Sequence, residues 1–134
     1  GLVPIIEPEV NIHAGDKAEC ERILKAEILK QLDALPNDHK VMLKLTLPEA
    51  GDFYSDLIDH KNVLLVVALS GGYDLDEACQ RLAQNSGMVA SFSRALTNGL
   101  SAGQSDEEFN SVLAATINRI YAASVEDKAR TEAA

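Results

Sequence analysis

One lysine in an otherwise apolar run has the character of a nucleophile. Lys44 lies inside Val41–Pro48, a stretch too short for a helix that predicts a buried strand of a parallel sheet. A buried ammonium group needs a partner or loses its proton, and the neutral amine is nucleophilic. The alternative is a lysine at the end of the strand whose ammonium group reaches solvent along its alkyl chain.

Two acidic residues close the first apolar segment. Leu2–Val10 predicts a strand whose C-terminal part carries Glu7 and Glu9. Side chains two residues apart on an extended chain point to the same side, so both carboxylates are expected to face one site at the C-terminal end of the strand. The alternative is a solvated pair of loop acids.

A glycine turn and an arginine offer groups that bind anions. Ser70, Gly71 and Gly72 follow the apolar strand Val63–Leu69, and backbone N–H groups in such a turn can bind a phosphate, although two glycines also simply make tight turns. Arg94 follows a shorter predicted strand, Met88–Phe92, and brings a cation to the same end of the sheet.

Helices are expected between and after these strands. Periodicity predicts the first helix from Asp16 to about Leu35, with lysines and glutamates on its outer face, and a shorter second helix at about Asp52–Asp59. Asp-x-x-Glu and Ser-x-x-Glu signals open the third helix after Asp74 and the fourth at Ser105. The fourth helix is predicted to run to about Ala123 and to bury Phe109, Val112, Leu113, Ile117 and Ile120.

Strand and helix alternation sets the fold class. Four strands alternating with helices, each ending in a chemically useful group, predict an α/β protein built like a (β/α)8 barrel, whose active sites lie at the C-terminal ends of the strands. We expect one folded unit over residues 1–124 and a flexible, charged tail over 125–134.

Composition limits the partners. The 134 residues carry a net charge of −9, which argues against nucleic acid and anionic membranes as partners. No apolar run approaches the length of a membrane span. The two cysteines show no metal-ligand spacing, which indicates reduced thiols, no metal site and a cytoplasmic location.

Four sequence blocks, in order, resemble class I fructose-bisphosphate aldolase, the metal-independent Schiff-base family. The blocks are Val3–Glu9, Leu43–Lys44, Leu69–Gly72 and Ser91–Leu96, and the resemblance extends from Leu2 to Ala123. It implies the C-terminal half of a TIM barrel, strands five to eight with their helices. The segment Leu45–Pro48 replaces the Pro-Asn-Met of the animal enzymes and suggests a bacterial-type branch.

The resemblance also implies the catalytic roles. Lys44 would form the imine, Glu7 would be the acid/base that assists loss of water, and Glu9 would support the lysine. The implied reaction is the reversible cleavage of fructose 1,6-bisphosphate to dihydroxyacetone phosphate and glyceraldehyde 3-phosphate in glycolysis and gluconeogenesis, without a cofactor or metal.

The ketose C1 phosphate is implied to lie between two loops. Ser70, Gly71, Gly72 and Arg94 match that phosphate site, and Ser93 stands where the animal form has glycine. The partners implied are a sugar-phosphate substrate and the N-terminal half of the same barrel, without which this stretch is expected to be inactive.

Two alternatives to this function remain open at the level of sequence. One is another Schiff-base enzyme acting on a different sugar phosphate, such as a transaldolase-like barrel. The other is a non-catalytic phosphate-binding module in which Lys44 is only a further cation for the ligand.

Overall fold

A computed structural model describes residues 1–125 of the chain. Strands and helices alternate throughout this part in the order β1 (Ile5–Ile6), α1 (Lys17–Asp33), β2 (Val41–Thr46), α2 (Ser55–Ile58), β3 (Val63–Leu69), α3 (Leu75–Ala83), β4 (Met88–Ala90) and α4 (Asp106–Val125). None of these helices is both long and apolar enough to cross a membrane. Apart from Val125, the predicted tail lies outside the described residues, so the division of the chain at residue 124 stays a prediction.

The strands form one parallel sheet in the order β1-β2-β3-β4. The predicted α/β class is therefore confirmed. Each strand pairs with its neighbour in the sequence, which is the order of consecutive βα units in a (β/α)8 barrel. Lys44 lies opposite Val67 of β3, and Val67 lies opposite Val89 of β4.

The hydrophobic core lies between the sheet and the helices. Alternate residues of each strand point to opposite faces, and the helix-covered face includes Leu43, Leu45 and Val66, all with no exposed surface. They pack with the buried faces of the helices, among them Leu32, Leu57 and Leu82. The opposite face of the sheet, which would line the interior of a closed barrel, carries Lys44.

The first strand is much shorter than predicted. Of Leu2–Val10, only Ile5–Ile6 is paired as a strand, and both isoleucines are exposed. Pro8 has no N–H, so the ladder of hydrogen bonds cannot continue through it. The fourth strand also ends early, at Ala90 rather than Phe92.

The buried face predicted for α4 is wrong in part. Phe109 and Ile117 are exposed by 38% and 48%, and the other three residues predicted to face the core are half-buried. The buried residues of this helix are Thr116 and Ala123. The helix packs mainly against α3 and β4 at one end of the sheet, so much of its apolar surface has no neighbour among the described residues.

Side-chain caps fix the starts of the last two helices. The Ser105 hydroxyl accepts a hydrogen bond from Glu108 N at 3.2 Å, and Glu108 Oε2 accepts one from Ser105 N at 2.9 Å, which completes the predicted capping box. These hydrogen bonds lower the pKa of Glu108. Asp74 caps α3 by accepting a hydrogen bond from Glu77 N at 2.9 Å.

A buried ion pair was not predicted. Lys17 and Glu21, one turn apart on α1, were expected on its outer face, but their exposures are 3% and 2% and their charged groups are in contact. Lys17 Nζ donates to Leu47 O at 2.9 Å, and Glu49 N donates to Glu21 Oε2 at 3.1 Å. The pair is buried because it binds the main chain that follows β2.

A tyrosine adjoins the same cluster. Tyr54 has no exposed surface, and burial together with the nearby Glu21 carboxylate raises the pKa of its hydroxyl. The hydroxyl therefore stays protonated and neutral across the physiological pH range.

Removing the charge of Glu21 should destabilise the fold. Glu21→Gln removes the buried counter-ion of Lys17 and leaves only the exposed Glu49 carboxylate, whose Oε1 lies 3.4 Å from Lys17 Nζ, so we expect a cost of about 3 kcal/mol, as for a broken buried pair. The free energy of unfolding of the folded protein, measured by urea denaturation, should fall by that amount. Glu19→Gln is the matched control on the same helix: Glu19 pairs with Arg22 at the surface, and its loss should leave the midpoint nearly unchanged. Equal effects of the two substitutions would contradict the prediction.

Candidate active site

The candidate catalytic and binding segments lie at the C-terminal ends of the strands. In a parallel sheet the C-terminal ends of all the strands lie on the same side of the sheet. The carboxylates follow β1, the glycine turn follows β3 and the arginine follows β4, while Lys44 lies two residues before the end of β2. All four segments therefore lie at or near the C-terminal ends of neighbouring strands.

Lys44 and Glu7 are in direct contact. Lys44 Nζ lies 2.6 Å from Glu7 Oε1, and the two side chains are 25% and 51% exposed. Lys44 belongs to the paired part of β2 and its neighbours along the strand are fully buried. The structure thus favours a lysine with a carboxylate partner over one that extends to solvent at the end of a strand.

Only one of the two predicted glutamates reaches the lysine. Glu9 is exposed and makes no ion pair with Lys44 within residues 1–125. The expectation that both carboxylates face the same side assumed an extended strand. The pairing of β1 ends at Ile6, so no sheet hydrogen bonds impose the period of two on Glu7–Glu9.

The glycine turn adopts a conformation that favours glycine. Gly71 and Gly72 have φ of +62° and +105°, where other residues are strained. A Cβ at Gly71 would lie only 2.9 Å from Ile12 Cγ2. The carbonyl of Ser70 accepts a hydrogen bond from Tyr73 N at 3.0 Å, so the turn is compact and ends at the start of α3.

Arg94 follows β4, the strand that pairs with β3. Ser91 N donates to Ala68 O at 2.8 Å, which carries the pairing of β4 with β3 one residue past the strand. Ser93 and Arg94 are exposed, and the Thr97 hydroxyl bonds their carbonyl oxygens at 3.3 and 3.2 Å. Among the described residues no side chain pairs with the Arg94 guanidinium, which leaves it open to an anion.

A buried threonine that the sequence did not single out joins the carboxylate segment to β2. Thr46 Oγ1 lies 2.9 Å from Val10 N and 3.3 Å from Val10 O. The signal that could have identified it is its spacing, because Thr46 follows Lys44 by two residues and therefore lies on the same face of the strand.

The arrangement supplies an amine next to a proton acceptor. A carboxylate at hydrogen-bonding distance from an ammonium group can take its proton, and the amine can then add to a carbonyl carbon. The glycine turn after β3 and Arg94 after β4 are groups of a kind that bind anions.

Comparison with known proteins finds aldolases among the relatives of this chain. The chain is 59% identical over 125 residues to the fructose-bisphosphate aldolase class 1 of Synechocystis sp., and 54% identical over 125 residues to that of Clostridium acetobutylicum. The predicted resemblance to class I fructose-bisphosphate aldolases is confirmed. No protein-family model matches the chain.

The alignments cover this chain and its relatives unequally. They include 93% of this chain but only 42% of each relative. The chain therefore spans less than half the length of the aldolases that it matches.

An alanine at Gly71 should disturb the turn. Gly71→Ala places a Cβ at positive φ and against Ile12, and we expect the free energy of unfolding to fall by about 2 kcal/mol. Gly15→Ala is the matched control, because its Cβ would have no atom within 4 Å, and it should change stability by less than about 0.5 kcal/mol. Urea denaturation of the folded protein measures both. A Gly71→Ala protein as stable as the control would contradict this account of the turn.

Proposed function

We propose that this chain carries the Schiff-base half of a class I fructose-bisphosphate aldolase active site. The observation that carries the proposal is the 2.6 Å contact between Lys44 Nζ and Glu7 Oε1 on a strand of a parallel sheet. The names and high identity of the two relatives support it. The enzyme would be a lyase that cleaves fructose 1,6-bisphosphate to dihydroxyacetone phosphate and glyceraldehyde 3-phosphate, and rejoins them.

The chemistry begins with a proton transfer within the pair. Glu7 accepts a proton from the Lys44 ammonium group, and the amine adds to the ketone carbon of the substrate. Glu7 then donates a proton to the hydroxyl group that departs as water, which leaves a cationic iminium. As the carbon–carbon bond breaks, its electron pair passes to the iminium, and the Glu7 carboxylate accepts the proton of the hydroxyl whose carbon becomes the aldehyde. An amine supplies this electron sink by itself, so the proposal includes no metal and no cofactor.

Glu9 is proposed as a second carboxylate near the lysine, as the resemblance implies. Its position two residues beyond Glu7, on the segment that adjoins Lys44, supports this role. Within residues 1–125, Glu9 makes no ion pair with Lys44, so we assign the direct proton transfers to Glu7.

Ser70, Gly71, Gly72, Ser93 and Arg94 are proposed to hold the C1 phosphate of the ketose. The open guanidinium of Arg94 and the compact glycine turn on the adjacent strand support this assignment. Anchoring the phosphate would hold the reacting carbons in register with Lys44.

The complementary half of the barrel is proposed as the partner. Both edges of the sheet are open within residues 1–125, and each is flanked by a groove. One, of about 280 Å³, lies between Ile6 and α1, and the other, of about 350 Å³, lies between the end of β4 and α4. A full (β/α)8 barrel has about 250 residues, and its first four βα units would pair with both edges. A cytoplasmic location stays a prediction.

Trapping with borohydride tests the nucleophile. In the complete enzyme, meaning these residues with the complementary half, reduction in the presence of dihydroxyacetone phosphate should leave a covalent mass increment on Lys44. Lys44→Met should abolish the increment, since methionine matches the stem of lysine and cannot form an imine. Lys30→Met is the matched control, because Lys30 is exposed on α1, and it should trap normally.

The same experiment separates the alternatives. A non-catalytic phosphate-binding module would give no increment in the wild type, and undiminished trapping in Lys44→Met would remove Lys44 from the mechanism. A different Schiff-base aldolase would trap its own ketose and cleave another sugar phosphate faster than fructose 1,6-bisphosphate in a parallel assay.

The isolated chain should be inactive. Residues 1–134 expressed alone should self-associate through the open edges of the sheet and should not cleave fructose 1,6-bisphosphate. Adding the part of the Synechocystis aldolase that this chain does not match should recover activity if the two parts pair their strands. Sedimentation and a coupled aldolase assay measure both results. A monomeric and active preparation of the chain alone would overturn the proposed half-barrel.

A further inference from the structure

We propose that Thr46 is a positioning residue that holds the Glu7 segment against Lys44. The inference rests on the proposed function and deepens it. It assigns the placement of the acid/base carboxylate to a hydroxyl group on the lysine strand, two residues beyond the nucleophile.

The main chain around Glu7 is fixed on one side by the sheet. Met42 N donates to Pro4 O at 2.9 Å, and Ile5 and Ile6 pair with Met42 and Leu43. Beyond Ile6 the strand ends, and Pro8 brings no N–H with which to continue it. The ladder alone therefore fixes only the N-terminal side of Glu7–Glu9.

Thr46 supplies the fixed point on the other side. Its hydroxyl accepts a hydrogen bond from Val10 N at 2.9 Å and lies 3.3 Å from Val10 O, to which it donates. One side chain thus satisfies both main-chain groups of Val10, as a paired strand residue would. Because Glu7 lies between Ile6 and Val10, the segment that carries it is held to β2 on both sides of Lys44.

Burial makes this clamp costly to lose. Thr46 and Val10 are only 1% and 8% exposed, so water cannot readily replace the hydroxyl. A variant without the hydroxyl would leave the N–H and the carbonyl of Val10 buried and unpaired. The segment would move to satisfy them, and Glu7 would move with it.

The methyl group of Thr46 faces a different neighbour. A Cβ at Gly71 would lie 3.4 Å from Thr46 Cγ2, so the methyl group contacts the glycine turn while the hydroxyl binds the carboxylate segment. Valine keeps the branched shape and removes only the hydroxyl, whereas serine keeps the hydroxyl and removes the methyl group. The two variants therefore separate the two contacts.

The test compares these variants in the complete enzyme. Thr46→Val should lower kcat for cleavage of fructose 1,6-bisphosphate by about tenfold, since one misplaced interaction of about 1.4 kcal/mol in the transition state corresponds to that factor. KM should stay within about twofold, because the phosphate contacts are retained. The rate of borohydride-trapped imine formation should fall with kcat, and Thr46→Ser should restore both.

A double substitution tests whether Thr46 acts through Glu7. In a Glu7→Gln background, Thr46→Val should lower kcat by less than about twofold, because the group that it positions is already gone. An undiminished tenfold loss there, or a loss that Thr46→Ser does not restore, would overturn the inference. So would a Thr46→Val enzyme with wild-type kcat.

Failure of this inference differs from failure of the proposed function. Without the proposed function, the wild type forms no trapped imine at all, whereas without the clamp the wild type traps normally and Thr46→Val matches it. If Thr46→Val does not fold, Thr46→Ala removes the same hydroxyl with less bulk. It is judged by the same two measurements, the loss of kcat in the wild-type background and the loss of kcat in the Glu7→Gln background.

Discussion

The contact between Lys44 and Glu7 is the interaction on which the arrangement of this chain depends. An ammonium group on a strand between fully buried neighbours needs a partner, and in the described residues that partner is Glu7, which directly follows the short edge strand β1. Pro4 and Pro8 flank this part of the chain, and β1 itself pairs through only two residues. Its position beside the lysine therefore needs contacts other than the ladder, and the Thr46 hydroxyl provides them.

The end of the lysine strand is held from both faces of the sheet. On one face Thr46 binds Val10, and on the helix side the buried Lys17–Glu21 pair binds Leu47 O and Glu49 N. Buried ion pairs add little net stability compared with apolar packing but make removal of one partner expensive. The Lys17–Glu21 pair therefore fixes the position of the main chain more than it adds stability. Its hydrogen bonds, like those of Thr46, involve residues 46–49, which follow Lys44.

The outer elements are less well covered than the centre. Ile5 and Ile6 on β1 are exposed, and so are Phe109 and Ile117 on α4, whereas most of β2 and residues Val66–Leu69 of β3 between them are buried. Buried central strands between exposed outer elements are expected for one part of a barrel wall taken without the rest of the barrel. It agrees with a chain that spans 42% of the length of its relatives.

The sequence by itself determined the order of strands and helices and the strand that carries Lys44, because apolar runs, glycine turns and capping signals are local. It also indicated the glycine turn, where Gly71 needs a positive φ. Tertiary structure alone decided that Glu7 rather than Glu9 contacts the lysine, that Lys17 and Glu21 are buried, and that Thr46 joins two segments. Each of these outcomes depends on which distant main-chain groups lie within hydrogen-bonding distance, and local periodicity carries no information about that.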